Sequence, residues 1–292
     1  MTKPAARPEP LRLQKPLICV TGLPRAGSTL LCQLLGTHPD LYSPGHSSPL
    51  CQALTGLRYQ LSDNDFLLAQ LDNNHEGVHR RLHAAYQGFI NGWFAETGQP
   101  RVVDKNRGWL AQLHLALALD PDCRMLVCVR ELGQVIGSIE ARHRKTIMLD
   151  FQDHIGHLSP HARAEKLILP DGVVGGPLRA MEAVQDCPPA EQARIYYVVF
   201  EHLVSQPEEA MAGIYRWLGL AVPKVDYQQL PVHPHESDSH YRGKFPHATR
   251  SSVAAPEAHE IAARIQTLVQ TQFPWFYETF YPGLLQVAPG RA

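Results

Sequence analysis

Apolar residues along the chain fall into short continuous runs that are separated by longer amphipathic stretches. Four runs have the length and β-branched content of buried strands: 16–20, 101–106, 123–131 and 194–204. The stretches between them repeat apolar residues at helical spacing, most clearly in 28–38, 51–96, 109–120, 132–145 and 207–220. Because strands alternate with helices, the pattern predicts an α/β fold with a central parallel sheet and helices on both faces.

The same pattern divides the chain into one large domain and flanking segments. We expect a flexible Pro-rich leader at 1–15, a single domain at 16–285 and a tail at 286–292. Within the domain, 146–180 begins with a polar, less regular stretch and is predicted to be a mobile insertion or lid. Residues 231–256 are polar and rich in histidine and basic side chains, and a loop this long is usually functional or disordered.

Composition and charge narrow the class of protein. The chain of 292 residues has 27 Lys and Arg against 28 Asp and Glu, so its net charge of −1 gives no support for nucleic-acid binding. The six cysteines form no CxxC pair and are expected to be reduced thiols. With no signal peptide or membrane-spanning apolar run, we expect a cytoplasmic protein. Oligomer formation stays open.

Charged residues follow three of the predicted strands directly. They are Arg25, Asp104, Lys105 and Arg130. Ligands of parallel α/β sheets bind at the carboxyl ends of strands. We therefore expect these side chains to converge on one cleft.

The loop after the first strand has the spacing of a phosphate-binding loop without its lysine. Gly22 and Gly27 match GxxxxG, but Ser28 and Thr29 follow where a Walker A loop has Lys-Ser/Thr. Backbone N–H groups and the helix start still favour an anion. Arg25 supplies a forked cation before the second glycine. The loop therefore favours a dianionic group over Mg²⁺-dependent transfer of a γ-phosphate.

Four segments together resemble one enzyme family. The sequences are "GLPRAGSTLLCQLLGTHPDLY", "VVDKNRGW", "VCVRELGQVIGSIEARHRK" and "FEHLVSQPEEAMAGIYRWLGL". In this order they are similar to the bacterial branch of the sulfotransferases that use 3′-phosphoadenosine 5′-phosphosulfate (PAPS), distantly like tyrosylprotein sulfotransferases. The resemblance implies a three-layer P-loop-like fold and transfer of a sulfuryl group to an acceptor hydroxyl of a small molecule or of a peptide tyrosine.

The resemblance also implies roles for individual residues. The 5′-phosphosulfate would be held by Arg25, Ala26, Gly27, Ser28, Thr29 and Leu30. Arg130 and Ser138 match the segment that binds the 3′-phosphate. Lys105 matches the lysine that stabilises the bridging oxygen or the leaving phosphate, with Arg107 as a competitor. Arg242 and Lys244 resemble the basic segment that closes over the nucleotide, which places this role in 231–256.

Two residues are candidates for the general base. His46 aligns with a glutamate of the tyrosylprotein sulfotransferases, with one extra residue before it, and Asp104 is the second candidate. Phe200 stands where some relatives have Tyr, which removes a hydroxyl contact. A metal is not expected, since the spacing of His233, His235 and His240 matches no common structural zinc pattern.

Two other functions remain in competition with this hypothesis. One is a P-loop nucleotide kinase or small NTPase, although the loop lacks lysine and no clear acidic Walker B strand follows. The other is a catalytically inactive protein that binds 3′,5′-ADP. The acceptor is not specified: a peptide tyrosine, a polyketide or lipid hydroxyl, and a carbohydrate all stay open.

Overall fold

Five parallel strands form the central sheet of the protein. The computed structural model describes residues 12–148, 155–232, 236–237, 246–247 and 249–284. The strands are β1 Leu17–Gly22, β2 Leu41–Tyr42, β3 Arg101–Lys105, β4 Arg124–Val129 and β5 Ile195–Val199. They lie in the order β2-β3-β1-β4-β5. Every residue of β1 and nearly every residue of β4 is buried, as expected where helices cover both faces of a parallel sheet.

Helices connect the strands and account for most of the remaining described chain. They are α1 Ser28–Leu35, α2 Leu50–Ser62, α3 Asp65–Asn73, α4 His75–Trp93, α5 Leu113–Leu119, α6 Leu132–Lys145, α7 Pro160–Ile168, α8 Gly175–Gln185, α9 Pro189–Gln192, α10 Phe200–Ser205, α11 Pro207–Trp217, α12 Ala263–Gln272 and α13 Pro274–Phe280. Short 3-10 helices cover Leu110–Gln112 and Pro282–Leu284. The predicted α/β fold with a parallel sheet is confirmed.

Strand order places a crevice between β1 and β4. The chain leaves β1 toward β2 on one side of the sheet and leaves β4 toward β5 on the other. Connections that diverge in this way open a crevice at the carboxyl ends of the two strands, where α/β proteins bind ligands. The loop 23–27 and Arg130 therefore flank the same opening.

Two stretches differ from the prediction. The run 194–204 is a strand only as far as Val199, and α10 begins at Phe200. Glu201, in the first turn of α10, interrupts the apolar run, and its carboxylate accepts the Tyr281 hydroxyl at 2.7 Å. The polar insertion is largely helical in its described part, because α7 and α8 bury one face each on the core.

The segments on either side of the second small sheet are anchored on α1. That sheet pairs β6 Glu236–Ser237 with β7 Pro246–His247 in antiparallel fashion. Gln33, buried in α1, donates to the carbonyls of Pro231 at 2.7 Å and Arg250 at 2.8 Å. Its amide therefore holds both ends of the excursion beside the first helix. Throughout the described ranges, no helix combines the length and the apolar content that a bilayer crossing requires.

Candidate active site

A cavity of about 1350 Å³ opens at the carboxyl ends of the strands. Its walls come from the loop after β1, the ends of β3 and β4, helices α2, α6 and α8, and the segment 249–259. Sites for one small ligand usually measure about 300–1,000 Å³, so this cavity has room for two ligands side by side. Of the described residues that line it, seven are Lys or Arg and none is Asp or Glu.

The loop between β1 and α1 is fixed by two close approaches. Gly22, at φ 113°, leaves no room for a Cβ, which would lie 2.2 Å from the carbonyl oxygen of Cys128 in β4. Gly27, at φ 82°, would place a Cβ 2.5 Å from the ring of Phe200. Arg25 is the one non-glycine residue with positive φ (60°) in the described chain, a conformation that clusters at functional sites.

Helix α1 starts directly after this loop and aims its amino end at the cavity. Gly27 caps the helix without a side-chain hydrogen bond, and Ser28, Thr29 and Leu30 form its first turn. The first N–H groups of a helix have no partner within the helix and attract anions. Five of the six loop residues assigned to the nucleotide line the cavity, namely Arg25, Gly27, Ser28, Thr29 and Leu30, while Ala26 is buried.

Lys105 brings a cation from β3 to the first turn of α1. Its side chain is only 7% exposed. The ammonium donates to the Gly45 carbonyl at 2.8 Å and to Thr29 Oγ1 at 3.1 Å. Arg107 also lines the cavity, while its carbonyl accepts from the Thr21 hydroxyl at 3.0 Å. The structure thus places Lys105, the residue assigned to the leaving group, in contact with the loop.

Arg130, Arg25 and Ser138 meet at the end of β4. Arg130 Nη1 donates to the Arg25 carbonyl at 3.1 Å, and Arg25 Nε donates to Ser138 Oγ at 3.1 Å. The Arg130 guanidinium stacks on the Phe200 ring at 4.6 Å. Sequence predicted this Arg/Ser pair; it did not predict that Phe200 would support Arg130 and close the space over Gly27.

The Arg130 guanidinium is buried without full compensation. The residue is 6% exposed, and its Nε has no hydrogen-bond partner among the described residues. Burial lowers the pKa of Arg130, while Glu201 and Glu131 oppose that shift. Glu131 itself caps α6 and accepts the Tyr277 hydroxyl at 2.6 Å. Arg130 also lines the cavity, so an anionic ligand there would compensate the buried guanidinium charge.

Helices α2 and α8 form the opposite, uncharged wall. It consists of Cys51, Gln52, Thr55, Gly56 and Tyr59 from α2 and of Gly176, Pro177 and Ala180 from α8. The α2 residues recur at a helical spacing, so one face of the helix points into the cavity. Sequence analysis recognised helical periodicity in 51–96 but did not identify this face. Its signal is a run of small and polar residues on one side of α2.

The two candidate bases lie away from the cavity lining. His46 is exposed, although Ser47 and Ser48 after it do line the cavity. Asp104 alternates with Lys105 along β3, so its side chain points to the other face of the sheet. There it is 1% exposed and accepts the Trp109 indole N–H at 2.6 Å. Burial raises the pKa of Asp104.

The remaining assigned residues are placed as follows. Arg242 and Lys244 lie outside the described residues, as do His233, His235 and His240. In the described ranges, one group of three side chains could ligate a metal, His114, Cys187 and Glu191, and none of the three lines the cavity. All six cysteines are thiols. The cavity residue His259 was not identified from the sequence, since no motif surrounds it.

Two relatives at low sequence identity are named protein-tyrosine sulfotransferases. Protein-tyrosine sulfotransferase 2 of Gallus gallus is 25% identical over 211 residues, covering 71% of this chain and 52% of that protein. A putative protein-tyrosine sulfotransferase of Caenorhabditis briggsae is 24% identical over 225 residues, covering 75% and 69%. The chain thus spans about half the length of the Gallus gallus relative.

Solved structures that match this chain at low identity include two sulfotransferases. The sulfotransferase domain from the curacin biosynthetic pathway has a TM-score of 0.49 at 18% identity, covering 90% of this chain and 98% of that one. A sulfotransferase from Alicyclobacillus acidocaldarius has a TM-score of 0.48 at 16% identity, covering 72% and 83%. A family model described as "Sulfotransferase family" matches residues 16–224, which hold the loop, Lys105, Arg130 and Ser138. The chain belongs to the sulfotransferase family.

Proposed function

We propose that this protein transfers a sulfuryl group from PAPS to an acceptor hydroxyl. The observation that carries the proposal is the buried Arg130, whose Nε lacks a partner beside Arg25 and Ser138. The described lining of the cavity has seven cations and no carboxylate, although the whole chain carries a net charge of −1. Such a cavity suits a ligand with several negative charges, as PAPS is at neutral pH.

Residues from two strand ends would divide the nucleotide between them. Arg25 and the amino end of α1, from Ala26 to Leu30, would hold the 5′-phosphosulfate. Arg130 and Ser138 would hold the 3′-phosphate. Because Arg130 donates to the Arg25 carbonyl and Arg25 donates to Ser138 Oγ, the two anion sites are linked through two hydrogen bonds. The fixed glycines Gly22 and Gly27 preorganise the loop for both.

Lys105 would stabilise charge on the departing phosphate oxygen. PAPS supplies the reactive phosphosulfate anhydride, and charge develops on its bridging oxygen as the bond between sulfur and that oxygen breaks. The ammonium of Lys105 already lies 3.1 Å from Thr29 Oγ1, at the start of the helix that holds the phosphosulfate. Donors fixed in advance where charge develops give the largest catalytic effects. The hydroxyls of Ser28 and Thr29 would add neutral donors.

The uncharged wall of α2 and α8 would receive the acceptor. Its polar groups are hydroxyl, amide and thiol side chains, which suit a neutral alcohol or a phenol. Tyrosine is one such phenol, and relatives named protein-tyrosine sulfotransferases support including it. Free thiols agree with work in the cytoplasm, which we include in the proposal.

His46 stays our proposed base, and its position sets a clear test. Its neighbour Gly45 accepts from Lys105, and Ser47 and Ser48 line the cavity, so a turn of this loop would bring the imidazole inward. We expect His46→Gln to lower kcat about 10²-fold while the affinity for 3′,5′-ADP stays unchanged. An unchanged kcat in His46→Gln would assign the proton transfer to another group.

The proposal as a whole is tested by product analysis. The purified protein is incubated with PAPS and a panel of phenols, alcohols and tyrosine peptides, and mass spectrometry looks for one added sulfuryl group with release of 3′,5′-ADP. We expect transfer without Mg²⁺. Binding of 3′,5′-ADP without transfer to any acceptor would instead favour the inactive nucleotide-binding protein. Mg²⁺-dependent ATP turnover would favour the kinase or NTPase.

A further inference from the structure

One wall of the cavity comes from outside the part of the chain that matches the family. The match ends at residue 224, yet the segment 249–259 returns to the cavity. Its lining residues are Thr249, Arg250, Ser252, Ala254, Pro256 and His259. At its start, the Arg250 carbonyl accepts from Gln33 of α1 at 2.8 Å. The segment is therefore tied to the helix that begins at the phosphate loop.

The far end of this segment is fixed on α6 beside the Arg/Ser pair. Gln134 makes two hydrogen bonds with the backbone of His259, accepting from its N–H at 2.8 Å and donating to its carbonyl at 3.0 Å. Gly137 permits the approach, since a Cβ there would lie 2.6 Å from the Cβ of His259. The His259 side chain thus starts beside Gly137, the residue before Ser138, and the backbone of His259 is held by two hydrogen bonds.

The groups around His259 are mainly cationic. Burial, and then the charges of Arg130 and Arg25, lower the pKa of His259. Arg142 lies one turn beyond Ser138 on α6, and also lines the cavity. The carboxylate at the start of α6, Glu131, is engaged by Tyr277 and Gln266, and the Glu257 and Glu260 side chains on the segment itself are exposed.

We propose that His259 is an additional ligand of the nucleotide's 3′-phosphate and takes up a proton from solvent when that phosphate binds. The inference rests on the proposed function, since it assigns a further residue to the same site. A dianionic phosphate between Arg25, Arg130 and His259 replaces repulsion among the three by attraction. The imidazole then donates a charge-assisted hydrogen bond, with the proton delivered by bulk water.

This linkage has a defined sign. Without ligand, His259 is mostly neutral at pH 7, and the bound phosphate raises its pKa. Binding therefore couples to proton uptake, and the contribution of His259 to affinity grows as pH falls. The phosphate itself takes a proton near pH 6, which opposes the trend. Comparing wild type with a variant at each pH cancels that second effect.

The experiment is calorimetric titration of wild type and His259→Gln with 3′,5′-ADP and with 5′-AMP, at pH 6.5 and pH 8.5. We expect His259→Gln to weaken 3′,5′-ADP about tenfold at pH 6.5, a typical value for one charge-assisted hydrogen bond. The ratio should shrink at pH 8.5, and 5′-AMP should bind both proteins equally. Buffers of different ionisation enthalpy should show proton uptake in wild type that the variant reduces.

Two further variants separate ligation from folding. His79→Gln on α4 changes an exposed histidine away from the cavity and should match wild type. Gln134→Ala should reduce both the affinity for 3′,5′-ADP and its pH-dependent part, because it frees the backbone of His259. Equal 3′,5′-ADP affinity of wild type and His259→Gln at both pH values, or an equal loss for 5′-AMP, would overturn the inference. If wild type failed to bind 3′,5′-ADP at all, the proposed function itself would be contradicted.

Discussion

The two sides of the cavity are built in opposite ways. The strand-end wall consists of the loop after β1 and the ends of β3 and β4, and it presents Arg25, Lys105 and Arg130. The helical wall consists of α2 and α8 and has no charged residue among its lining side chains. Each of these three cations donates a hydrogen bond to a neighbouring element of the cavity: Arg25 to Ser138 of α6, Lys105 to Thr29 of α1, and Arg130 to the Arg25 carbonyl. The helical wall is lined mainly by small side chains.

This difference separates what is common to the chemistry from what is particular to one acceptor. The backbone hydrogen bonds between the parallel strands fix the positions of their carboxyl ends, so three cations can converge there with little reorganisation. Side chains on a helix face can be substituted without disturbing the hydrogen bonds of the sheet. We infer that the strand-end wall serves the nucleotide and the sulfuryl group, while the helical wall determines the acceptor. The predictions below test this division.

The largest effect is expected at Lys105. Changing Lys105 to Ala removes the one cation that contacts both the Gly45 carbonyl and the first turn of α1. We expect kcat to fall about 10²- to 10³-fold, as when a fixed donor to developing charge is lost. The affinity for 3′,5′-ADP should change much less. Single-turnover transfer from PAPS measures the loss of rate, and calorimetry measures the affinity for 3′,5′-ADP. Lys166→Ala, on the exposed side of α7, is the control.

Arg130→Ala should act on binding more than on chemistry. The change removes a buried guanidinium that we assign to the 3′-phosphate, so 3′,5′-ADP should bind roughly 100-fold more weakly. Arg124 at the opposite end of β4 is a matched control, because its guanidinium also lies over an aromatic ring, that of Trp217 at 5.5 Å. Equal losses in Arg124→Ala and Arg130→Ala would show that both act through the fold.

On the helical wall, Tyr59→Ala should change only the acceptor. The Tyr59 ring is 69% exposed at the cavity and belongs to no described cation cluster. Loss of an aromatic contact should raise the acceptor KM about three- to tenfold with kcat nearly unchanged. Phe66→Ala, also exposed but on α3 outside the cavity, is the control. A weaker affinity for 3′,5′-ADP in Tyr59→Ala would break the proposed division of the walls.

Asp104→Asn should have the smallest effect on activity and a distinct effect on stability. Burial raises the pKa of Asp104 in the folded state, so the charged carboxylate lowers the free energy of unfolding at pH 7. This loss is absent below the ordinary aspartate pKa, where the carboxyl group is protonated in both the folded and the unfolded state. The neutral amide can still accept the Trp109 indole N–H. We therefore expect a higher Tm at pH 7, a difference that disappears as pH falls below the ordinary value, and retained kcat. Loss of kcat with unchanged nucleotide affinity would return Asp104 to the list of bases.

The residues of the strand-end wall could be identified from the sequence because the features that mark them lie close together along the chain. The glycine spacing around Arg25 and the position of Arg130 directly after an apolar run both translate into geometry once the strands are parallel. Asp104 shows the limit of that reasoning: it also follows an apolar run, but the alternation of β3 turns it to the other face. Proximity to a strand end does not specify which face a side chain takes.

The contacts that sequence analysis missed join segments that are distant along the chain. Phe200 reaches the loop because the chain turns into α10, and the ring then fills the space above Gly27. His259 is held on α6 by Gln134 and lies against Gly137, the residue before Ser138. Such contacts depend on packing between segments more than a hundred residues apart along the chain, and no periodicity reports them.

The central claim is that the loop with Ser28 in place of lysine binds a 3′,5′-bisphosphate nucleotide rather than a magnesium triphosphate. Calorimetric titration of the wild-type protein with 3′,5′-ADP, and separately with ATP and Mg²⁺, tests it most directly. We predict Mg²⁺-independent binding of 3′,5′-ADP that is tighter than binding of ATP and is weakened by Arg130→Ala. Tighter binding of ATP in the presence of Mg²⁺, with 3′,5′-ADP unable to compete, would contradict the account.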